Sequence, residues 1–257
     1  AGDIAEIGPR QSVQAVDGLL SVVGLDRASQ VMMDGESQNL GDVLSRSYLP
    51  ASDGQAVLSA QALADSLKPL PHREYSIASL PADGTLQLAV RRMLRPDGSP
   101  GIGSSWLCDH AVPGSEIALR LRSNPNFHAP ARDRPMILIG NGTGMAGLRA
   151  HLKARVSADA RRNWLLFGER SADRDFFFGD ELLAWQARGF IHRLDLAFSR
   201  DQEQRIYVQH KLEQAADPLR EWVDEGAAIY VCGSLAGMAP AVDAVLRAVL
   251  GGAEVEA

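Results

Sequence analysis

The stretch from Pro135 to Arg149, Pro-Met-Ile-Leu-Ile-Gly-Asn-Gly-Thr-Gly-Met-Ala-Gly-Leu-Arg, constrains the fold more than any other part of the sequence. Met136 to Ile139 is an unbroken apolar run, Gly140 to Gly144 is a glycine-rich loop, and Met145 to Leu152 has helical spacing. An apolar run closed by glycines predicts a strand buried on both faces of a parallel sheet. Glycines let the backbone turn tightly with its N–H groups converging on the helix N-terminus, where unpaired donors and the helix dipole favour a diphosphate. Gly142-x-Gly144-x-x-Gly147 has dinucleotide-loop spacing, although ordinary strand-to-helix turns also satisfy so short a pattern.

The rest of the second half repeats this unit. Asn163–Phe167, Ile191–Ala197 and Ala227–Cys232 read as strands, followed by helices around Glu181–Gln186, Val208–Leu212 with Pro218–Val223, and Met238–Leu250. Such an alternation predicts a parallel sheet covered on both faces, with ligands bound outside the carboxyl ends of its strands. The loops at Gly140, Gly168, Ser199 and Gly233 are expected on that edge.

The first half has a different texture. Ile4–Ile7, Glu74–Ala78, Thr85–Val90 and Glu116–Leu121 read as short strands with turn chemistry between them, Pro96-Asp97-Gly98 included, which predicts an antiparallel barrel or sandwich. From about residue 12 to 67 the apolar spacing is helical: Val13, Val16, Leu19, Leu20 and Val23; then Val43, Leu44 and Tyr48; then Val57, Leu58, Leu63 and Leu67. Gly24, Gly35, Pro50 and Gly54 divide these into short helices. The charged link Ala131-Arg-Asp-Arg-Pro135 separates the textures, giving expected domains at 1–132 and 133–257.

Composition excludes several function classes. A formal net charge of −6 argues against a nucleic-acid binder, and no apolar run approaches the ~20 residues of a membrane span. Cys108 and Cys232 cannot form a Cys-x-x-Cys pair, so no metal or iron–sulfur site is expected within the chain, and so few cysteines suggest a reducing, cytoplasmic compartment. The chain opens on Ala1 without a signal segment and is expected to be part of something longer.

Four further motifs carry candidate chemistry. Arg73-Glu74-Tyr75-Ser76 places a cation and an aromatic on one strand face and a hydroxyl on the other. Gly101-Ile102-Gly103-Ser104 is a second glycine-bearing turn suited to a diphosphate. Ser199-Arg200 at a strand end, with Arg205-Ile206-Tyr207-Val208-Gln209, suits a phosphate monoester beside an adenine. Ile229-Tyr-Val-Cys232-Gly-Ser234 delivers a thiol to the sheet edge. Each alone has an ordinary structural reading: a plain strand, a turn, a solvated loop, a small buried hydrophobe.

Their order and spacing resemble the ferredoxin–NADP reductase superfamily, most closely its diflavin branch, over roughly residues 67 to 250. The resemblance implies an FAD-binding barrel with a short helical insertion (about 12–67), then an NADP(H)-binding α/β domain. It implies that Arg73 pairs with the FAD pyrophosphate while Glu74 flanks it, Tyr75 stacks on the flavin, and Ser76 sits near the flavin's reactive nitrogen. Ala89, Val90 and Arg91 would line the flavin, and Gly101, Ile102, Gly103 and Ser104 would hold its diphosphate. Gly142, Thr143 and Gly144 would take the NADP pyrophosphate. Arg170, Ser199, Arg200, Arg205, Ile206, Tyr207, Val208 and Gln209 would surround the 2′-phosphate and adenine. Cys232 would lie beside the nicotinamide, making Ser76 and Cys232 the catalytic pair. FMN would belong only to a flavodoxin-like domain outside this chain, the expected electron acceptor unless another redox partner serves, and membrane attachment would come only from such further segments.

The sequence departs from the family where Asn141 and Gly147 replace prolines, where Ser234 and Ala241 replace acidic residues, and where no aromatic residue closes the chain after Gly251. Two other readings compete. A Rossmann-type NAD(P) dehydrogenase would place a ribose-binding acid about twenty residues after the glycine loop, where Glu169 stands late and beside Arg170. A non-catalytic flavin- or nucleotide-binding module needs only the binding loops.

Overall fold

The computed structural model describes residues 1–50 and 59–251. The chain forms two compact units, one of Ala1–Ile4, Ser76–Ala89 and Arg122–Ala257, the other of Ala5–Tyr75 and Val90–Leu121. The unit with the parallel sheet thus includes a segment from the first half of the sequence, Ser76–Ala89.

The antiparallel part begins with β1 (Ile4–Ile7), and a three-stranded sheet in the order β4-β1-β5 combines it with β4 (Arg73–Ser76) and β5 (Leu119–Arg122). Buried Glu6 on β1 accepts from Arg120 on β5 at 2.6 Å. Between β1 and β4 lie α1 (Val13–Val23), β2 (Gln30–Met33), β3 (Glu36–Asn39), α2 (Leu40–Ser45) and α3 (Ala60–Ser66). Ser12 caps α1 by accepting the Ala15 N–H, and Gly24 ends it in the left-handed region. Val16, Leu20, Val31, Leu40, Leu44 and Leu63 build a core of their own.

Three expectations for this half need correction. The stretch read as helical contains an antiparallel hairpin, β2 against β3, turned by Asp34 (φ 54) and Gly35 (φ 84). Asp-Gly with both residues at positive φ is the two-residue hairpin turn whose twist matches its strands. Thr85–Val90 is no strand: only Leu88 pairs, in an isolated bridge to Ile77, because the Ser79 hydroxyl takes the Gln87 N–H. Tyr48 lies beyond α2 and is 45% exposed. Gly54, Val57 and Leu58, and the tail after Gly251, lie outside the described residues. The turn at Pro96–Gly98 forms, and Gly101 opens α4 (Ile102–Ser105).

The second half follows its sequence pattern. Four parallel strands, β6 (Met136–Asn141), β7 (Asn163–Glu169), β8 (Arg193–Phe198) and β9 (Ala228–Cys232), stand in the order β8-β7-β6-β9. They are joined by α5 (Met145–Ser157), α6 (Ala172–Asp175), α7 (Gly179–Ala187), α8 (Val208–Gln214) and α9 (Ala216–Asp224), and α10 (Met238–Leu250) follows. Alternate residues of the central strands face opposite layers. Ile137, Ile139, Trp164 and Leu166 pack with Leu212, Leu219, Val242 and Leu246 on one side. Met136, Leu138, Leu165 and Phe167 pack with Leu148, Leu152, Leu182 and Trp185 on the other. Burial on both faces explains why β6 and β7 read as continuous apolar runs.

Candidate active site

Parallel register brings the carboxyl ends of all four strands to one edge. Asn141 pairs with Gly168 and Gly140 with Cys232, while Gly168 pairs with Ala197 and Glu169 with Phe198. The glycine loop lies tightly against the end of β9: a Cβ on Gly144 would sit 2.1 Å from the Cys232 carbonyl oxygen. Gly142 is at φ +58, the left-handed region that favours glycine. Asn141, at a proline position of the resembled family, uses its side-chain oxygen to accept the Ser234 N–H at 3.0 Å, bracing the two loops. That role was not read from the sequence, where Asn141 was only a departure.

The same unit brings Ser76 to this edge. Its hydroxyl comes close enough to the Cys232 thiol to lower the thiol pKa. Burial pushes the thiol pKa up, and the nearby Ser76 hydroxyl offsets this only in part, so Cys232 stays protonated at neutral pH. Gly147, the other position expected to be proline, leaves room for this approach: a Cβ there would stand 3.4 Å from the Ser76 Cβ and 3.3 Å from the Phe127 ring. Residues more than 150 positions apart in sequence therefore meet as two neutral polar groups beside a glycine loop.

The adenine-side candidates occupy the neighbouring strand ends. The Ser199 N–H donates to the Glu169 carbonyl at 2.9 Å and the Arg200 N–H to the Arg170 carbonyl at 2.8 Å, extending the β7–β8 pairing past the sheet. Arg170, Arg200 and Arg205 are exposed, without an ion pair among the described residues. Tyr207 is 40% exposed and starts α8, with its ring 5.7 Å from that of His210. Ile206 and Gln209 are half-buried, while the Val208 side chain belongs to the core. The Glu169 carboxylate accepts the N–H of Arg170 at 2.8 Å, so it is engaged by its own loop.

The other unit gathers a second set. Arg73 on β4 crosses the α4 turn so closely that a Cβ on Gly103 would lie 2.7 Å from the Arg73 Cγ. The Ser104 hydroxyl accepts the Met93 N–H at 3.0 Å and reaches the Gly101 carbonyl at 3.2 Å, so it also secures the turn. Ile102 and Tyr75 are half-buried; burial raises the Tyr75 phenol pKa, against the lowering charge of Arg73. Glu74 is exposed, and Val90 and Arg91 are half-buried; Ala89 is half-buried in the sheet-bearing unit.

Residues 138–244 match the family described as "Oxidoreductase NAD-binding domain". The chain is 38% identical over 240 residues to a "Sulfite reductase [NADPH] flavoprotein alpha-component" of Neisseria meningitidis, covering 89% of this chain and 39% of the relative. The proteins of the same description from Mannheimia succiniciproducens (37% over 205 residues, 77% and 34% covered) and Salmonella typhi (39% over 211 residues, 78% and 35% covered) are similar. The chain spans less than two fifths of the length of these curated relatives. It belongs to the ferredoxin–NADP reductase superfamily. Within that superfamily it is a module of the diflavin-reductase branch, the branch of the sulfite reductase flavoproteins it resembles. No helix among the described residues is long and apolar enough to cross a membrane.

Proposed function

We propose that this chain is the FAD- and NADP(H)-binding module of an NADPH-dependent flavoprotein reductase, with the flavin served mainly by residues 1–132 and the nucleotide by 133–257. The observation that carries the reading is the convergence of Ser76 and Cys232 at the sheet edge on the glycine loop and its helix, Ser76 packed against Gly147 and the Cys232 carbonyl against Gly144, with the hydroxyl near enough to lower the thiol pKa. The cofactors supply the chemistry, hydride from NADPH onto FAD and single electrons onward; the protein orients them. Ser76 and Cys232 are neutral at working pH, so they tolerate a change of charge on a neighbouring ring without a proton of their own moving. Arg200 and Arg205, free of carboxylate partners, suit the nucleotide 2′-phosphate, and a guanidinium facing a bare ribose would be left unpaired. Arg73 against the Gly101–Ser104 turn suits the flavin diphosphate. The electron acceptor is a flavodoxin-like FMN domain outside these residues, as in a sulfite reductase flavoprotein, or another soluble redox partner, and the setting is cytoplasmic.

The absorption spectrum of the purified protein tests this. Bound flavin that bleaches on adding NADPH is expected; a colourless protein that binds NADPH would leave only a nucleotide-binding module. Against the dehydrogenase alternative, the Glu169 carboxylate is largely buried and already accepts the Arg170 N–H, which makes it a poor ribose ligand.

A further inference from the structure

Arg149 lies in the middle of α5, is 8% exposed, and takes no part in the chemistry above. A buried guanidinium needs partners, and this one has them on two sides. We propose that Arg149 is a positioning residue for the Ser76–Cys232 pair: from α5 it locks the neck of the loop that follows Ser76, and so fixes where the hydroxyl meets the thiol. The inference rests on the reductase reading and deepens it.

The loop from Ser76 to Ala89 closes on itself at its neck. Ile77 and Leu88 form an antiparallel bridge, the Ala78 N–H donates to the Gln87 carbonyl at 2.8 Å, and the Gln87 N–H donates to the Ser79 hydroxyl at 2.9 Å. None of these bonds attaches the loop to the helices beside it. Arg149 does: its Nη1 donates to the Ala78 carbonyl and to the Gln87 Oε1, each at 2.8 Å, one acceptor from either side of the neck. Nε and Nη2 grip the Glu181 carboxylate of α7 at 2.5 and 3.2 Å, and the guanidinium lies 4.4 Å above the Phe178 ring. One turn further along α5, Lys153 holds both Asp83 carboxylate oxygens at 2.7 Å, and Asp83 in turn accepts the Leu80 N–H.

The same helix serves both members of the pair. Gly147 of α5 leaves the space into which Ser76 comes, and the loop that opens α5 abuts the Cys232 carbonyl through Gly144. A planar fork of donors aimed in two directions is required, since Ala78 and Glu181 lie on opposite sides of the guanidinium; the ammonium of a lysine has no such fixed geometry.

The test uses the full chain with Cys108→Ser, which leaves Cys232 as its single thiol, and reads the pH midpoint of Cys232 alkylation by iodoacetamide. Ser76→Ala removes the hydroxyl that lowers the thiol pKa, so its midpoint moves up. Arg149→Met is expected to move it up equally, the double variant no further than either single one, and Arg149→Lys part of the way. Gln87→Leu removes one neck acceptor but keeps Arg149; its smaller shift in the same direction decides the matter if Arg149→Met does not fold. In the flavin-loaded protein, Arg149→Met should lower kcat about tenfold with KM for NADPH little changed. A folded Arg149→Met with the parent midpoint, additive shifts in the double variant, or an unmoved Gln87→Leu would overturn the proposal. Alkylation requires neither flavin nor nucleotide, so a failure of the reductase reading shows as missing flavin bleaching with the coupled midpoint shifts intact.

Discussion

Leu138 in β6 and Leu121 in β5 are the same residue on strands of one chain, yet Leu138 is fully buried and Leu121 is 63% exposed. Around Leu138, every residue from Met136 to Ile139 is fully buried, and hydrophobic contact with helices on both faces sets the strand's place. Around Leu121, Leu119 is 45% exposed, and Met93, Leu94 and Val112 of the same unit are also exposed. The parallel region packs the apolar residues of its central strands between helices and leaves its candidate nucleotide-binding groups at strand ends. The antiparallel region holds its short strands and turns with particular bonds, such as Arg120 to Glu6 and Met93 to Ser104, and leaves apolar side chains outward. Burial therefore sets the strands of the parallel sheet, and single polar contacts set the short strands and turns around β5.

The sharpest expected effect is at the strand ends of the parallel region. Arg200→Glu with Arg205→Glu places two anions where the 2′-phosphate is assigned, and each charge-assisted bond to that phosphate is worth about 1.5–3 kcal/mol. The ratio of kcat/KM for NADPH over NADH should fall by about 100-fold or more, while the far-UV spectrum and Tm stay near the parent, because both residues are exposed. An unchanged ratio would remove the phosphate from this edge.

Next comes the interior. Leu138→Ala should cost about 2–5 kcal/mol in urea unfolding, as deletions from a fully packed core do. A loss below about 1 kcal/mol would mean that the sheet relaxes around the gap, and that burial is not what fixes β6.

The same contrast governs what the sequence disclosed. Met136–Ile139, Asn163–Phe167 and Met238–Leu250 were legible because each maps onto an element buried by its own periodicity. The β2–β3 hairpin was not, since its strands have only Val31 buried and its single strong signal, Asp34-Gly35, sits inside a run with helical spacing. Nor was the loss of the Thr85–Val90 strand, which turns on one Ser79 hydroxyl. At the site, the motifs pointed to Ser76 and Cys232 through resemblance, and local pattern gave no reason for them to touch. Arg149 left one trace: in Met145–Leu152, where every residue is buried, a cation must find partners from elsewhere in the fold.

His151 tests whether the packed region tolerates a polar misfit. Its ring is fully buried between Phe127 (centroids 5.1 Å apart) and Tyr230 (4.9 Å), and neither ring nitrogen has a hydrogen-bond partner. Burial is the main cause that lowers its pKa from 6.5 to about 4; the Phe127 backbone opposes the shift without reaching hydrogen-bond geometry. Because the folded-state pKa is the lower one, the unfolded chain takes up the proton first as pH falls. Stability from this residue is full above pH 6.5 and declines toward pH 4 by about 3 kcal/mol. His151→Phe should therefore gain about 1 kcal/mol at pH 7 and more at pH 5, read as the difference in urea midpoint between variant and parent. A difference independent of pH would show that the imidazole is not neutral and orphaned in the fold.

The smallest effect is the one that completes the comparison. Leu121→Ala removes the same atoms as Leu138→Ala, but from a side chain that water already reaches, so neither a lost transfer term nor a cavity follows. Unfolding free energy of these residues should change by no more than about 0.5 kcal/mol, and Arg120 should keep its bond to Glu6. A cost near that of Leu138→Ala would mean that Leu121 is covered in solution, and the exposed apolar residues of β5 would then mark a surface that burial, after all, controls.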